Sequence, residues 1–148
     1  MLIDRQALAT LIPHDGAMCL LAGILTWDAA TIRCRATSHR HPDNPLRSGD
    51  RLSALAGIEY AAQAMAAHAA LTAGGARPRA GYLASLRDHV CLVDRLDTLP
   101  GDLVIEAEVL LGEGARVIYG FTISHEAELL CRGRAAVVID DAAILGKG

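Results

Sequence analysis

The sequence lacks a strong excess of charge of either sign. Fourteen basic residues stand against 17 acidic ones, a formal net charge of -3, which excludes a strongly basic nucleic-acid binder. Disordered composition is excluded as well, because hydrophobic residues make up 52% of the chain and charged ones only 21%. An unbroken apolar run of membrane length is missing too. The most apolar stretch, residues 52–73, is interrupted by Glu59, Gln63 and His68, whereas a membrane span takes about 20 predominantly apolar residues. Closely spaced cysteines are absent: Cys19, Cys34, Cys91 and Cys131 lie far apart in sequence, without the pairing that zinc or redox motifs use, so buried, reduced thiols are expected. No two histidines have the spacing of a helical zinc site, and neither a metal nor a cofactor is implied. The opening Met1-Leu2-Ile3-Asp4-Arg5 has no basic segment leading into an apolar stretch; no secretory signal is expected, and the expected location is the cytoplasm. No internal repeat is visible, and 148 residues suit one domain over 1–148.

What is present is a change of period along the chain. Asp4 is placed to cap a short helix reaching about residue 11, and Pro13 with Gly16 then turns the chain into an apolar run over 18–25, a first strand. Residues 31–36 alternate and predict a second strand paired with the first as a hairpin. Residues 39–50 are rich in Pro, Asp, Asn, Arg and Gly and predict a loop, a common seat of function when it precedes a buried helix. Alanine dominates 52–72, which predicts one long helix stopped at Gly74-Gly75. That helix is apolar nearly all round and is expected to be enclosed by other structure. Strands are expected at 82–90, 103–111, 117–123 and 129–137, with a turn at Gly112-Glu113-Gly114. The order is α+β, with a curved antiparallel sheet wrapped around one long central apolar helix.

Glu59 is the one carboxylate within that apolar helix. Burial there would favour its neutral form and prepare it to act as an acid; a structural carboxylate paired with a cation is the alternative. Gln63 lies one turn further along the same face, positioned either to orient the Glu59 carboxyl or to bond a neighbouring strand.

Several segments resemble the 3-hydroxyacyl-acyl carrier protein dehydratases. Residues 11–21, Leu-Ile-Pro-His-Asp-Gly-Ala-Met-Cys-Leu-Leu, are similar to that family's leucine-proline-histidine opening. Residues 57–64, Gly-Ile-Glu-Tyr-Ala-Ala-Gln-Ala, are similar to its central helix, where a Glu is followed four residues later by Gln. Gly81-Tyr82-Leu83, Leu99-Pro100-Gly101-Asp102-Leu103 and Glu128-Leu129-Leu130-Cys131 follow in the family's order, so the resemblance covers nearly the whole chain. Within the family, the short Asn44-Pro45 loop and the Ile58-Glu59-Tyr60 helix look most like the dehydratase-like proteins of aryl polyene biosynthesis.

The resemblance implies a hot-dog fold, no cofactor, and dehydration of 3-hydroxyacyl thioesters on an acyl carrier protein, with Glu59 catalytic. It also implies a homodimer, or a heterodimer with another hot-dog dehydratase, because the family places the Glu and His of one site on different subunits. Two departures stand out. The family's His-Phe-Pro-Gly segment is replaced by residues 44–51, Asn-Pro-Leu-Arg-Ser-Gly-Asp-Arg, so its catalytic histidine has no counterpart; His41 and His14 are the candidates for that role. Gly57 lies closer to Glu59 than the family's carbonyl-polarising glycine, and with Gln63 it is the candidate for contacting substrate. Arg77, Arg79 and Arg87 are either carrier-protein contacts or solvated charges. A hot-dog thioesterase, and a non-catalytic partner subunit of a heterodimeric dehydratase, are the alternatives.

Overall fold

A computed structural model describes residues 2–12, 16–74 and 80–140. Near the start, the Asp4 carboxylate accepts from the Ala7 N–H at 2.9 Å, capping α1, Arg5–Leu8, directly after the two-residue strand β1, Ile3–Asp4. The helix is shorter than the sequence predicts. A hairpin follows, of β2 (Gly23–Trp27) and β3 (Thr31–Ala36). Asp28 sets its turn by accepting from the Ala30 and Thr31 N–H groups at 2.9 and 2.8 Å. Ile32, Cys34 and Ala36 of β3 point into the core, while Arg33 and Arg35 point outward to Glu106 and Asp102.

The first strand begins later than expected, because residues 18–20 have another partner. Gln63 donates to the Met18 carbonyl at 2.6 Å and accepts from the Leu20 N–H at 2.8 Å, holding this stretch against the long helix instead of in the sheet.

That helix, α2, runs Gly57–Thr72. The expected start at residue 52 is also corrected. Residues 52–53, before the turn, lie along the 94–97 segment: the Ala54 N–H donates to the Asp94 carbonyl, and the Leu96 N–H to that of Leu52, both at 2.9 Å. Asp97 accepts from the Leu52 N–H at 2.9 Å, and Arg95 beside it holds its carboxyl well below the usual carboxylate range. A 3-10 turn, Ala54–Ala56, then leads into α2. At the other end Gly74 takes φ 106, the left-handed conformation in which glycine ends helices without strain.

The remaining strands are β4 (Ala80–Cys91), β5 (Leu103–Glu113), β6 (Arg116–His125) and β7 (Glu128–Asp140). All pairings are antiparallel, in the order β1-β2-β3-β5-β6-β7-β4. β3 therefore pairs with β5, and β4 crosses to the far edge, where β7 is its one partner among the described residues. The inward residues of β5 and β6, among them Leu103, Ile105, Tyr119, Phe121 and Ile123, form one core with Tyr60, Ala61, Ala64 and Met65 of α2.

Small residues let α2 lie close to the sheet. A Cβ on Gly57 would stand 2.7 Å from Ile123 Cδ1, inside contact distance. The helix is not enclosed all round, however. Leu55, just before it, is 61% exposed; Glu59 is exposed, and Ile58, Ala62 and Ala66 are half-buried. Among the described residues, a stripe along the N-terminal part of α2 is left without cover.

Candidate functional site

Glu59 stands in the first turn of α2, at the positive end of the helix dipole, where a carboxylate is favoured. Ala56, which precedes the helix, provides no side-chain cap. The expectation of a desolvated carboxyl does not hold within one chain: the Glu59 side chain is exposed, because the uncovered stripe runs through it. Among the described residues it makes no hydrogen bond and no ion pair.

The other expected site residues lie apart from it. His41 is exposed at the end of the 3-10 turn Ser38–Arg40 and lines a cavity of about 270 Å³ with Arg5, Cys19, Leu20, Asp43 and Asn44. Glu59 is not on its walls, so the single chain does not assemble a carboxyl-imidazole pair from these two. His14 falls outside the described residues, as do Arg77 and Arg79. Arg87 is exposed on β4. Gln63 spends its amide on Met18 and Leu20. The Gly57 N–H already donates to the Ala54 carbonyl, and its missing side chain makes room for Ile123.

A buried network beside Glu59 was not legible in the sequence. Ser38 donates to the Leu20 carbonyl at 2.6 Å, so its 2.8 Å contact with Tyr60 takes the phenol proton. Tyr60 in turn accepts from the Asn44 amide at 3.0 Å. Asn44 also donates to the Ser38 carbonyl at 2.9 Å and accepts from the Leu46 N–H at 2.8 Å. The short Asn-Pro loop is thereby fixed to the residue next to Glu59. Burial pushes the Tyr60 phenol above its ordinary value, so it remains a neutral donor. The one advance signal was a Tyr adjoining the candidate acid; its partners are distant in sequence.

Three histidines prove to be structural. His39 is fully buried, with Nε2 3.0 Å from the Leu99 carbonyl, and burial lowers its pKa. The His125 ring bonds the neighbouring Pro100 carbonyl. His68 binds Tyr119 Oη through Nδ1 and the Asp28 carbonyl through Nε2, each at 2.8 Å. The carbonyl can only accept, so Nε2 carries the proton and Tyr119 donates to Nδ1. The Tyr119 phenol is pushed up to about 12 by burial.

A broader hollow of about 810 Å³ lies on the outward face of the sheet among Arg33, Glu106, Thr122, Arg132 and Arg134; none of the candidate residues lines it. Among the described residues no group of three His, Cys, Asp or Glu is arranged to hold a metal ion, and no helix is long and apolar enough to cross a membrane.

Comparison with solved structures finds the same architecture repeatedly. The chain is similar to one in the dehydratase heterocomplex ApeI:P from Xenorhabdus doucetiae, with a TM-score of 0.81, 22% identity and 95% of each chain covered. A mutant thioesterase from Pseudomonas aeruginosa has a TM-score of 0.57 at 12% identity, covering 79% of each chain. A hypothetical thioesterase with coenzyme A from Streptococcus pneumoniae also scores 0.57 at 12% identity, over 79% of this chain and 84% of that one. These likenesses establish the hot-dog fold. No curated protein matches the sequence. The model of one family, described as ApeP-like, ApeP dehydratase, matches residues 6–144. With all but the two ends of the sequence inside that match, the chain belongs to the ApeP-like dehydratases.

Proposed function

We propose that this chain is one half of a dehydratase that removes water from 3-hydroxyacyl thioesters carried on an acyl carrier protein, in synthesis of the aryl polyene type. Glu59 is its acid, and a second hot-dog chain completes the site by covering α2 and bringing the imidazole base. The observation that carries this reading is the state of Glu59: a lone carboxylate at an uncovered helix start, with no imidazole bonded to it among the described residues.

The chemistry explains why such a carboxylate needs a second chain. A base removes the C2 proton, and an acid protonates the departing C3 hydroxyl, leaving a 2,3-enoyl thioester and water. A carboxyl serves as the acid only in its neutral form. Covering it with apolar surface favours the neutral form. Surface for such a cover is available: Leu55, Leu83 and Leu92 are exposed by 61, 39 and 59%. Leu83 belongs to β4, whose outer side is, among the described residues, the free edge of the sheet, and Leu92 directly follows that strand. A long free edge is normally paired or protected. The relative in a dehydratase heterocomplex supports a hetero-oligomer over a homodimer.

A hot-dog thioesterase is the second reading, favoured by the fold likeness to thioesterases and by a carboxylate that would activate water without a histidine. Mass spectrometry of a 3-hydroxyacyl carrier protein separates the two. The chain is incubated with it alone and with a histidine-bearing hot-dog partner. Loss of one water only with the partner is the expected result. Loss of water with the chain alone refutes the shared site, and release of the acyl group with a free carrier thiol shows a thioesterase.

A further inference from the structure

Cys91, the last residue of β4, stands directly opposite Cys131 of β7. The Leu92 N–H donates to the Leu130 carbonyl at 2.7 Å, which makes 92 and 130 the hydrogen-bonded pair. Cys91 and Cys131 therefore occupy a non-hydrogen-bonded position, where opposed side chains approach most closely. Their sulfurs are 3.9 Å apart, in contact but unbonded. His89, two residues earlier on the strand, shares the face of Cys91, and its Nε2 lies 3.7 Å from Cys91 Sγ. The two thiols are unequal: Cys131 is fully buried, whereas Cys91 is half-buried.

We propose that Cys91 and Cys131 are an oxidation site that a hydroperoxide converts to a cross-strand disulfide. The Cys91 sulfur, relieved of its proton by the His89 imidazole, attacks hydrogen peroxide and breaks its O–O bond; the sulfur becomes a sulfenic acid, and the departing hydroxide takes the proton back from the imidazole and leaves as water. The Cys131 sulfur then displaces the sulfenic hydroxyl, which leaves as water with the Cys131 proton, and the S–S bond forms. In sum, two thiols and one hydrogen peroxide give one disulfide and two waters. Burial, with the adjacent Cys91 sulfur, pushes the Cys131 thiol up to about 12, so Cys131 is not the sulfur that meets the peroxide first. The bond would form directly under the start of α2, since Cys131 Sγ lies 3.8 Å from the Ala54 carbonyl and 3.6 Å from where a Gly57 Cβ would stand. The site requires no particular reading of the chain's activity.

The test is hydrogen peroxide titration of the full chain, followed by thiol counting after denaturation, intact mass and peptide mapping. Of the four thiols, two should disappear, the mass should fall by two hydrogens, and one linked peptide pair should join Cys91 to Cys131; dithiothreitol should reverse all three. Under the same dose Cys91→Ser should keep its three thiols, and Cys131→Ala should trap a dimedone-reactive sulfenic acid on Cys91. Added oxygen without a link, a link between other cysteines, or four surviving thiols would overturn the proposal.

Discussion

The two ends of α2 are built on opposite plans. At the C-terminal end His68 is 1% exposed, and both of its ring nitrogens are engaged, by the Tyr119 hydroxyl and the Asp28 carbonyl. At the N-terminal end Glu59 is exposed and unpaired among the described residues, Leu55 beside it is exposed, and the helix start has no side-chain cap. Both ends lie against the same sheet and both carry an ionisable residue. One is a finished interior; the other is an apolar surface with a carboxylate in it. A polar group sealed within its own chain serves stability, whereas an exposed apolar stripe is a feature that marks interaction surfaces in other proteins.

Substitutions that break this contrast should rank by how completely each contact is sealed. The largest stability loss is expected for His68→Ala, about 3 kcal/mol, from a cavity combined with a stranded Tyr119 hydroxyl, read as a urea midpoint shift. Gly57→Ala comes next at about 2 kcal/mol, since the buried Ile123 must move to admit the new methyl. Tyr119→Phe should cost about 1 kcal/mol by removing the donor to His68 Nδ1. Glu59→Gln should change the midpoint of the isolated chain by less than about 0.5 kcal/mol. A large destabilisation there would mean that Glu59 is structural and would dissolve the comparison.

A pH scan sharpens the same contrast from another buried histidine. Burial lowers the folded-state pKa of His39, against an opposing bond from the Leu99 carbonyl and the nearby Asp102, and with help from Arg40 and His125. The unfolded chain therefore binds the proton more readily. The stabilising contribution is fully present above the ordinary imidazole value and is lost as pH falls from there through the lowered folded value. The melting temperature should decline between about pH 7 and about pH 5, and His39→Gln should flatten that decline. Asp97, held low by Arg95, acts at lower pH still, so the two windows separate.

Much of the fold is written in local pattern. The alternation of β5, β6 and β7, the 31–36 strand and the Asp4 cap were all legible, because each rests on neighbours a few residues apart. What escaped depends on long-range partners. The displacement of residues 18–20 from the sheet requires Gln63, and the fixing of the Asn44 loop requires Tyr60. The place of β4 at the sheet edge depends on pairing with β7 across two intervening strands. Cysteines judged far apart by spacing meet across a strand register that spacing cannot display. Near the candidate site, Glu59 was legible as the one carboxylate in an apolar helix. Its exposure was not, because apolarity marks a surface to be covered without saying by which chain.

The central claim is that Glu59 is catalytic in a site that a second chain completes. The most direct measurement is turnover of a 3-hydroxyacyl carrier protein by the complex with a histidine-bearing partner, comparing wild type with Glu59→Gln and checking assembly by light scattering on the same samples. The account predicts an intact complex whose dehydration rate falls by about 100-fold or more. An intact complex that dehydrates within about threefold of wild type, far short of the loss expected for a missing general acid, would contradict it.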